Sequence, residues 1–542
     1  MFADKQVQKV LDLDYILEKI HPITPYGRQY KASMRAYPPG TEKYLREDLD
    51  LLETYVAWIE NKRQVRFSKE ALHGVKDIRY SIKRARGQSV LSEVELFEIK
   101  TIVFTVKNLQ ALRQEWGFKD HYKTRLKRIE SLEEALNPKG ESPNSFYIYD
   151  SYSDRLKDLR RKRTDLENKL RMEVRQKRKA LKEETGLSLS ADRTVVISKQ
   201  DKGGIAAAEG SQILSFSSET FSTVVYALKQ TDQMLEETNQ VERYKACEAA
   251  EETKIRAQLS EKVAKERKSL LDNISALANI DLLTAKAEFT RQIQGVKPEI
   301  IDEHKIQIKN GRYPKIENQL KKQDLSFTPI SVSLDEGVTC ITGANMGGKT
   351  ISLKIVGLLS LMAQMGLFVP AEAMTYGLNQ FIRTSIGDFQ STDSGLSTFG
   401  GEIRNVSRAL NEVDKEGLVL IDELARGTNP QEGYAISYAI AKYLLGKKTI
   451  TMITTHFDEI TRLEGVKHLQ VVGLANVDLE DIDQAGGDPL KQINQCMDYR
   501  LKEVSQFEQV PKDAIRVARL MGLPKRITAY AEEAIREKEK GE

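Results

Sequence analysis

The chain has 542 residues, 40% hydrophobic and 30% charged, which is enough apolar sequence for large cores and excludes wholesale disorder. Its 83 basic residues nearly balance 79 acidic ones, so the net charge of +4 excludes neither nucleic-acid nor protein partners. At roughly 100–200 residues per domain, this length predicts three or four domains.

Cysteine usage and apolar segments indicate the compartment. Cys247, Cys340 and Cys496 lie far apart without zinc-site spacing, and their odd number disfavours a disulfide scaffold. The first residues lack the apolar core of a secretion signal. The longest apolar stretch, residues 355–374, is predicted to be a buried helix that runs into a loop rather than a membrane span. We therefore expect a cytoplasmic protein without a membrane partner.

Residues 1–140 are predicted to form the first part of a helical core. Apolar residues recur at helical spacing over residues 44–62 and again over residues 91–116. Pro, Gly, Asn and Ser cluster at residues 137–144, which predicts a linker. The first domain boundary is therefore placed at residue 140.

Residues 141–320 are predicted to form a helical lever or arm and the second part of the core. Residues 154–182 carry 13 Lys/Arg and 5 Asp/Glu around a heptad-like rhythm of leucines. This helix is either a solvated member of an antiparallel hairpin or a basic arm that contacts phosphates. Short strands are expected at residues 194–198 and 212–216, and long charged helices over residues 220–292.

Residues 321–505 have the pattern of an α/β domain. Short β-rich runs at residues 338–342, 418–421 and 449–455 alternate with helical patterns, which predicts a mostly parallel sheet covered by helices. Residues 506–542 are predicted to be a charged helical docking element. The expected fold is multidomain: a helical core and arm, an α/β phosphate-loop domain and a C-terminal helical element.

A phosphate-loop pattern, G-x-x-x-x-G-K-[ST], lies between an apolar run and a helical pattern. Its glycines let backbone N–H groups surround phosphate oxygens, and the helix N-terminus adds positive potential. Lys349 is expected to reach the β- and γ-phosphates, and the Thr350 hydroxyl to ligate Mg²⁺. A glycine-rich turn without a ligand is the structural alternative. The predicted nucleotide-binding residues here are Gly343, Ala344, Asn345, Met346, Gly347, Gly348, Lys349 and Thr350.

Two acids and a histidine follow two further apolar runs. Asp422 is predicted to hold Mg²⁺, directly or through water, and Glu423 to polarise the attacking water. His456 is predicted to sense the γ-phosphate, although a lone histidine is more often structural. Lys349, Glu423 and His456 are thus the predicted catalytic residues of an ATP hydrolysis without a covalent intermediate.

These motifs resemble those of the MutS family of ABC-type ATPases. The loop TGANMGGKT resembles the family's TGPNMGGKST, with Ala344 in place of Pro. Further segments that resemble family motifs in the same order are GLFVPA (366–371), LSTFGGEI (396–403), IDELARGTNPQEG (421–433), TTHFDEI (454–460) and RVARLMGLP (516–524). The resemblance implies ATP and Mg²⁺ as cofactors and a homodimer with composite sites. Ser397 and Thr398 would then contact the γ-phosphate bound by the other protomer, and Phe327 is a candidate for stacking on adenine.

The resemblance leaves two functions open. No Phe-x-Glu wedge of a mismatch-reading domain and no Smr nuclease domain are recognisable, so a short form of the family is expected. The first function is an ATP-switched clamp on double-stranded or branched DNA, related to mismatch repair or recombination. The second is remodelling of a protein client, since some short MutS-like proteins are thought to reactivate cobalamin-dependent lysine aminomutases.

Overall fold

The computed structural model describes residues 2–118, 120–138, 140, 145–343, 348–387, 398–425, 428–473, 498–504, 513–520 and 522–541. The chain divides into two compact units, one of residues 1–69 with 278–542 and the other of residues 70–277. Helical and α/β structure occur in one multidomain chain, as predicted. The sequence-based domain boundaries at residues 140, 320 and 505 stay predictions.

Helices account for most of the described secondary structure. In chain order they are α1 (Lys5–Val10), α2 (Leu13–Glu18), α3 (Pro25–Ala32), α4 (Glu42–Trp58), α5 (Lys62–His73), α6 (Arg79–Arg86), α7 (Glu93–Glu115), α8 (Glu130–Leu136), α9 (Asp154–Thr185), α10 (Lys202–Gly210), α11 (Asp232–Lys265), α12 (Arg267–Gln292), α13 (Pro314–Lys321), α14 (Gly348–Gln364), α15 (Thr398–Leu410), α16 (Pro430–Leu444), α17 (Asp513–Leu520) and α18 (Lys525–Gly541). The last two divide the predicted helical stretch 513–540 at Gly522, whose φ of +91° suits glycine.

The strands form three sheets. They are β1 (Thr194–Ser198), β2 (Leu214–Glu219), β3 (Thr223–Leu228), β4 (Glu299–Ile301), β5 (Ile306–Gly311), β6 (Ile330–Leu334), β7 (Gly337–Thr342), β8 (Ala373–Gly377), β9 (Ile382–Ser385), β10 (Leu418–Asp422), β11 (Ile450–Thr454), β12 (Lys467–Gly473) and β13 (Asp498–Glu503). Their orders are β1-β3-β2, β4-β8-β5-β6 and β13-β12-β7-β11-β10-β9.

The predicted helical stretch 220–292 is wrong at its start, where β3 forms. Alternate residues of β3 are buried, a period of two that a half-buried strand requires and a helix does not produce. β3 pairs antiparallel with β1 and with β2, so its backbone groups are satisfied in the sheet. β1 has the predicted bounds, whereas β2 begins two residues later than predicted.

The charged helices α9 and α11 form an antiparallel hairpin within the unit of residues 70–277. Three ion pairs join the two helices, with N–O distances of 2.5–2.6 Å, and residue numbers that increase along α9 pair with numbers that decrease along α11. Three basic side chains in the first half of α9 are therefore neutralised by α11, as the hairpin interpretation expects. The pairs are Arg160–Glu252, Arg163–Glu248 and Lys169–Glu237.

The six-stranded sheet has the mostly parallel arrangement predicted for residues 321–505. β9, β10, β11, β7 and β12 are parallel neighbours, and β13 joins the edge antiparallel to β12. β7 and β11 are buried along their whole length, which explains their continuous apolar character. The predicted runs at residues 338–342, 418–421 and 449–455 correspond to β7, β10 and β11.

Helix α14 packs directly against this sheet. A Cβ atom on Gly357 would lie 2.7 Å from side-chain carbons of Leu11 and Leu420, so only glycine permits this close approach. The helix ends at Gln364 and the chain continues through a loop to β8, as predicted for the apolar stretch 355–374. In the described part of the chain, no helix is long and apolar enough to cross a membrane.

Candidate functional site

Three strand ends bring the predicted site residues to one edge of the six-stranded sheet. β7 lies beside β11 and β11 beside β10, all parallel, and Asp422 is in register with Thr454. β7 leads into the loop before α14, and α14 begins at Gly348. Because the carboxyl ends of parallel strands share one edge, Lys349, Asp422 and His456 converge there although they are far apart in sequence.

Lys349, Glu423 and His456 form one contact cluster. The Lys349 side chain is only 3% exposed, and its Nζ lies 3.3 Å from Glu423 Oε1. His456 Nε2 lies 2.7 Å from the same oxygen and 3.2 Å from Lys349 Nζ. The hydrogen bond from His456, with the nearby ammonium group, lowers the pKa of Glu423 to about 2 despite its partial burial. Glu423 is thus ionised at neutral pH, and the imidazole Nε2–H is the donor.

A second cluster, next to the first, is built around Asp422. The Thr350 hydroxyl donates to Asp422 Oδ2 at 2.9 Å, and the Thr454 hydroxyl donates to Oδ1 at 2.7 Å. A hydroxyl and a carboxylate are hard oxygen donors of the kind that Mg²⁺ prefers. The two residues predicted to bind metal therefore lie together and fit that ion chemically.

The backbone after β10 has an uncommon conformation. Glu423 and Ala425 have φ of +46° and +63°, in the left-handed region that non-glycine residues rarely adopt. The Glu423 N–H donates to Thr454 Oγ1 at 2.9 Å, and the Ala425 N–H donates to Glu402 Oε2 at 3.2 Å. These two hydrogen bonds help to hold the strained backbone conformation. In this conformation the Glu423 carboxylate lies beside Lys349.

Thr454 and Glu402 belong to segments that resemble family motifs, but their roles were not predicted. Thr454 links Asp422 to the Glu423 backbone, and the 8% exposed Glu402 reaches the same loop from α15. Both roles depend on contacts between residues that are more than 20 positions apart. Only the sheet register and the helix packing reveal them.

Part of the predicted phosphate loop lies within the described residues. Gly343 has φ of +125°, and a Cβ atom there would lie 3.0 Å from the Cβ of Val471. Both observations require glycine at this position. The predicted residues Ala344, Asn345, Met346, Gly347 and Ser397 lie outside the described residues. Thr398 begins α15.

A cavity of about 320 Å³ adjoins the start of α14. Phe327, the predicted adenine-stacking residue, lines it together with Gly348, Ile351 and Tyr499. The ring of Tyr499 is so close to Gly348 that a Cβ atom there would lie 2.9 Å from Tyr499 Cδ1. Sequence reasoning missed Tyr499 because β13 carries no motif. The cavity has the size and the aromatic walls of a small planar ligand site.

Comparison with known proteins identifies the family. A family model for MutS domain V matches residues 339–539. Endonuclease MutS2 of Geobacillus sp. (strain WCH70) is 32% identical over 411 residues, which cover 72% of this chain and 50% of the relative. Endonuclease MutS2 of Shouchella clausii (strain KSM-K16) is 30% identical over 478 residues, which cover 84% of this chain and 57% of the relative.

The chain belongs to the MutS family. The chain spans about half the length of the curated relatives it matches. In MutS proteins, domain V is the ABC-type ATPase domain, and its match runs from β7 into α18. The contacts of Lys349, Asp422, Glu423 and His456 therefore all lie within the matched MutS domain.

Proposed function

We propose that this MutS family member is a Mg²⁺-dependent ATPase that binds DNA. ATP hydrolysis at sites shared by two copies of the chain would switch the mostly helical residues 1–320 between open and closed clamp states. One observation carries the proposal: Lys349, Glu423 and His456 form a single cluster next to Thr350 and Asp422. This arrangement supplies a cation for phosphate, a carboxylate for water and hard oxygens for a metal.

Nucleotide binding would change the charge balance of the cluster. In the structure, the Lys349 ammonium group lies against the Glu423 carboxylate. A triphosphate carries more negative charge, so Lys349 would turn to it and Glu423 would lose a cationic neighbour. The anionic phosphates would also raise the pKa of Glu423 from its low value. The carboxylate would therefore become a better acceptor for the attacking water only when ATP is bound.

The other site residues would bind and orient the nucleotide. The N–H groups of Gly343, Ala344, Asn345, Met346, Gly347 and Gly348 would surround the phosphates, while Thr350 and Asp422 would hold Mg²⁺. When bound, Mg²⁺ neutralises the charge that develops on the phosphate oxygens. The adenine would enter the 320 Å³ cavity and stack on Phe327 or Tyr499. Ser397 and Thr398 would complete the site of the other protomer, and residues 506–542 would support the homodimer.

The DNA part of the proposal has two supports. The relatives named above are called endonucleases. In addition, the second half of α9 presents a basic stripe at spacings of three or four residues, in which each side chain is exposed. Within the described residues none of its members forms an ion pair with a carboxylate. The stripe, called here the distal basic stripe, consists of Arg171, Arg175, Arg178 and Lys182.

ATP hydrolysis by the full chain tests the enzymatic part. We expect Mg²⁺-dependent release of phosphate that Lys349→Ala abolishes and that Lys354→Ala, five residues further along α14, leaves in place. Absence of both ATP binding and hydrolysis in the wild type would contradict the proposal.

DNA binding is tested separately, by titration of a duplex and a four-way junction at several salt concentrations. We expect affinity to fall steeply with salt, because phosphate contacts release counterions. No binding at low salt would contradict the DNA part and leave the ATPase part standing. If the chain does not bind DNA, co-purification of a metabolic enzyme with it would favour a protein client.

A further inference from the structure

A second and larger cavity lies at the opposite end of α14 from the nucleotide site. Its volume is about 790 Å³, within the range of sites for small molecules. α1, α2, α3 and the segments that flank them form most of its walls, and Leu361 and Met365 contribute from the end of α14 and just beyond it. Residues 349 and 361 are 12 positions apart on one helix, roughly 18 Å along its axis, so the two sites are separate.

The floor of this cavity is apolar. Leu13, Ile20 and Leu361 line it, and each side chain is almost fully buried. Leu17 and Met34 extend the same surface. The floor therefore favours an apolar ligand body.

The rim of the cavity is basic. Its titratable residues are Lys5, His21, Arg28, Lys31 and Arg35, and no Asp or Glu is among the described lining residues. Such a rim attracts an anionic group.

The bonds that the rim residues make leave this charge uncompensated. Lys31 Nζ donates to the Ile20 carbonyl at 2.8 Å, Arg28 to the Ile23 carbonyl at 2.6 Å and Arg35 to the Met34 carbonyl at 2.8 Å. The accepting carbonyls lie in the segments that flank α2 and α3, and each guanidinium group has further N–H donors.

Carboxylates lie near the rim without pairing with it. Glu18 acts electrostatically on Lys31, and Asp281 acts on Arg28. Among the described residues, however, none of the rim lysines and arginines has a carboxylate oxygen within 4.0 Å. The rim therefore keeps its positive charge for a ligand.

We propose that this cavity binds a small amphiphilic anion, with an apolar body on the floor and a carboxylate or phosphate group against Arg28, Lys31 and Arg35. Burial lowers the pKa of Lys31, and an anion beside it would raise that pKa again. The site is independent of the proposed ATPase activity, because none of the nucleotide-site residues lines it.

Fluorescence of the anionic probe 8-anilinonaphthalene-1-sulfonate, titrated into the full chain, tests the proposal. We expect one saturable binding phase that decanoate or decyl phosphate displaces, whereas decanol and decyltrimethylammonium displace it at least tenfold less effectively. Comparison of decanoate with decyl phosphate distinguishes the two head groups. Equal displacement by decanol would overturn the proposal, because the charged rim would then have no role.

Two variants locate the probe. Arg28→Gln/Lys31→Gln/Arg35→Gln should weaken binding at least tenfold, whereas Lys9→Gln/Lys43→Gln/Lys62→Gln removes equal charge outside the cavity and should not. Ala32→Trp should block binding by filling the cavity while it keeps every charge. Circular dichroism establishes that each variant is folded. Unchanged binding in both the triple variant and the tryptophan variant would overturn the assignment to this cavity.

Discussion

At the scale of single residues, the Glu423 carboxylate has the central position in the proposed nucleotide site. Its Oε1 accepts from His456 and faces Lys349. Removing its charge while keeping its shape should therefore separate nucleotide binding from turnover.

For Glu423→Gln we expect retained ATP binding and a turnover lower by about 10²-fold or more, because the attacking water loses its acceptor. Radiolabelled nucleotide binding and phosphate release measure the two steps. Glu464→Gln, an exposed change in the same sheet domain, is the matched control. Normal turnover in the Glu423 variant would refute the role assigned to this residue.

Glu423 should also make stability depend on pH. Its pKa is about 2 in the folded chain against an ordinary value of 4.5. The stabilisation from the ionised form is therefore fully present above about pH 4.5 and decreases as the pH falls towards 2. We expect the difference in urea midpoint between wild type and Glu423→Gln to be constant near neutrality and to shrink in acid. A difference that grows on acidification would contradict this assignment.

At this scale the sequence is most informative where chemistry restricts the residue type. The proximity of Lys349, Thr350 and Asp422 could be predicted because a phosphate-loop pattern and an acidic strand end are expected at the same sheet edge. Their roles stay predictions. Tyr499 could not be predicted, because its position beside Gly348 depends on how β13 joins the sheet.

At the scale of elements, α15 connects two parts of the proposed mechanism. It begins at Thr398, part of the segment predicted to reach the other protomer's nucleotide. One turn later it carries Glu402, which accepts from the N–H of Ala425 in the loop after Glu423. A shift of this helix would therefore alter the support of the loop that follows Glu423.

We expect Glu402→Ala to lower kcat for ATP hydrolysis several-fold or more with a smaller change in KM, because the loop loses a hydrogen bond while the nucleotide keeps its own partners. Glu402→Gln keeps a carbonyl acceptor and should restore part of the rate. Equal losses in both variants would indicate that the negative charge, rather than the bond, is required.

The distal basic stripe permits a second test at this scale. Arg171→Gln/Arg175→Gln/Lys182→Gln should flatten the dependence of log affinity for DNA on log salt by roughly 0.9 for each phosphate that the variant no longer neutralises. Lys254→Gln/Lys262→Gln/Lys268→Gln removes equal charge from exposed positions and should leave the slope unchanged. An unaltered slope in the stripe variant would place the DNA-binding surface elsewhere.

Sequence patterns succeed for elements whose burial pattern is simple. β7 and β11 are buried on both faces and therefore have continuous apolar sequences. β3 was missed because its short alternating pattern lies immediately before the long helix α11, whose charged periodicity dominates the surrounding stretch.

At the scale of the whole molecule, the proposed composite sites require two copies of the chain. We expect Ser397→Ala and Lys349→Ala proteins to be nearly inactive alone and to regain some ATPase activity when mixed. A mixed dimer contains one site with both Lys349 and Ser397 intact. Phosphate release from the mixture measures the recovery, and each variant mixed with wild type is the control. No recovery would contradict sharing of sites across the dimer.

At this scale, local sequence patterns do not reveal which distant segments of the chain form one compact unit. Residues 1–69 and 278–542 form one unit. One of the contacts that joins these two segments is Asp281, whose carboxylate accepts from the backbone of Ile23 and Thr24. Contacts over such sequence separations leave no mark in composition, so the sequence predicts elements along the chain but not how distant segments combine.

The contact of Phe2 with β9 has a practical consequence. The Phe2 carbonyl accepts from the Ile382 N–H at 2.8 Å and from Arg383 at 3.0 Å. β9 is the last strand in the described order of its sheet, and an uncovered strand border invites other chains to pair with it. Removal of the first few residues would therefore leave the Ile382 N–H without this acceptor and promote aggregation during handling.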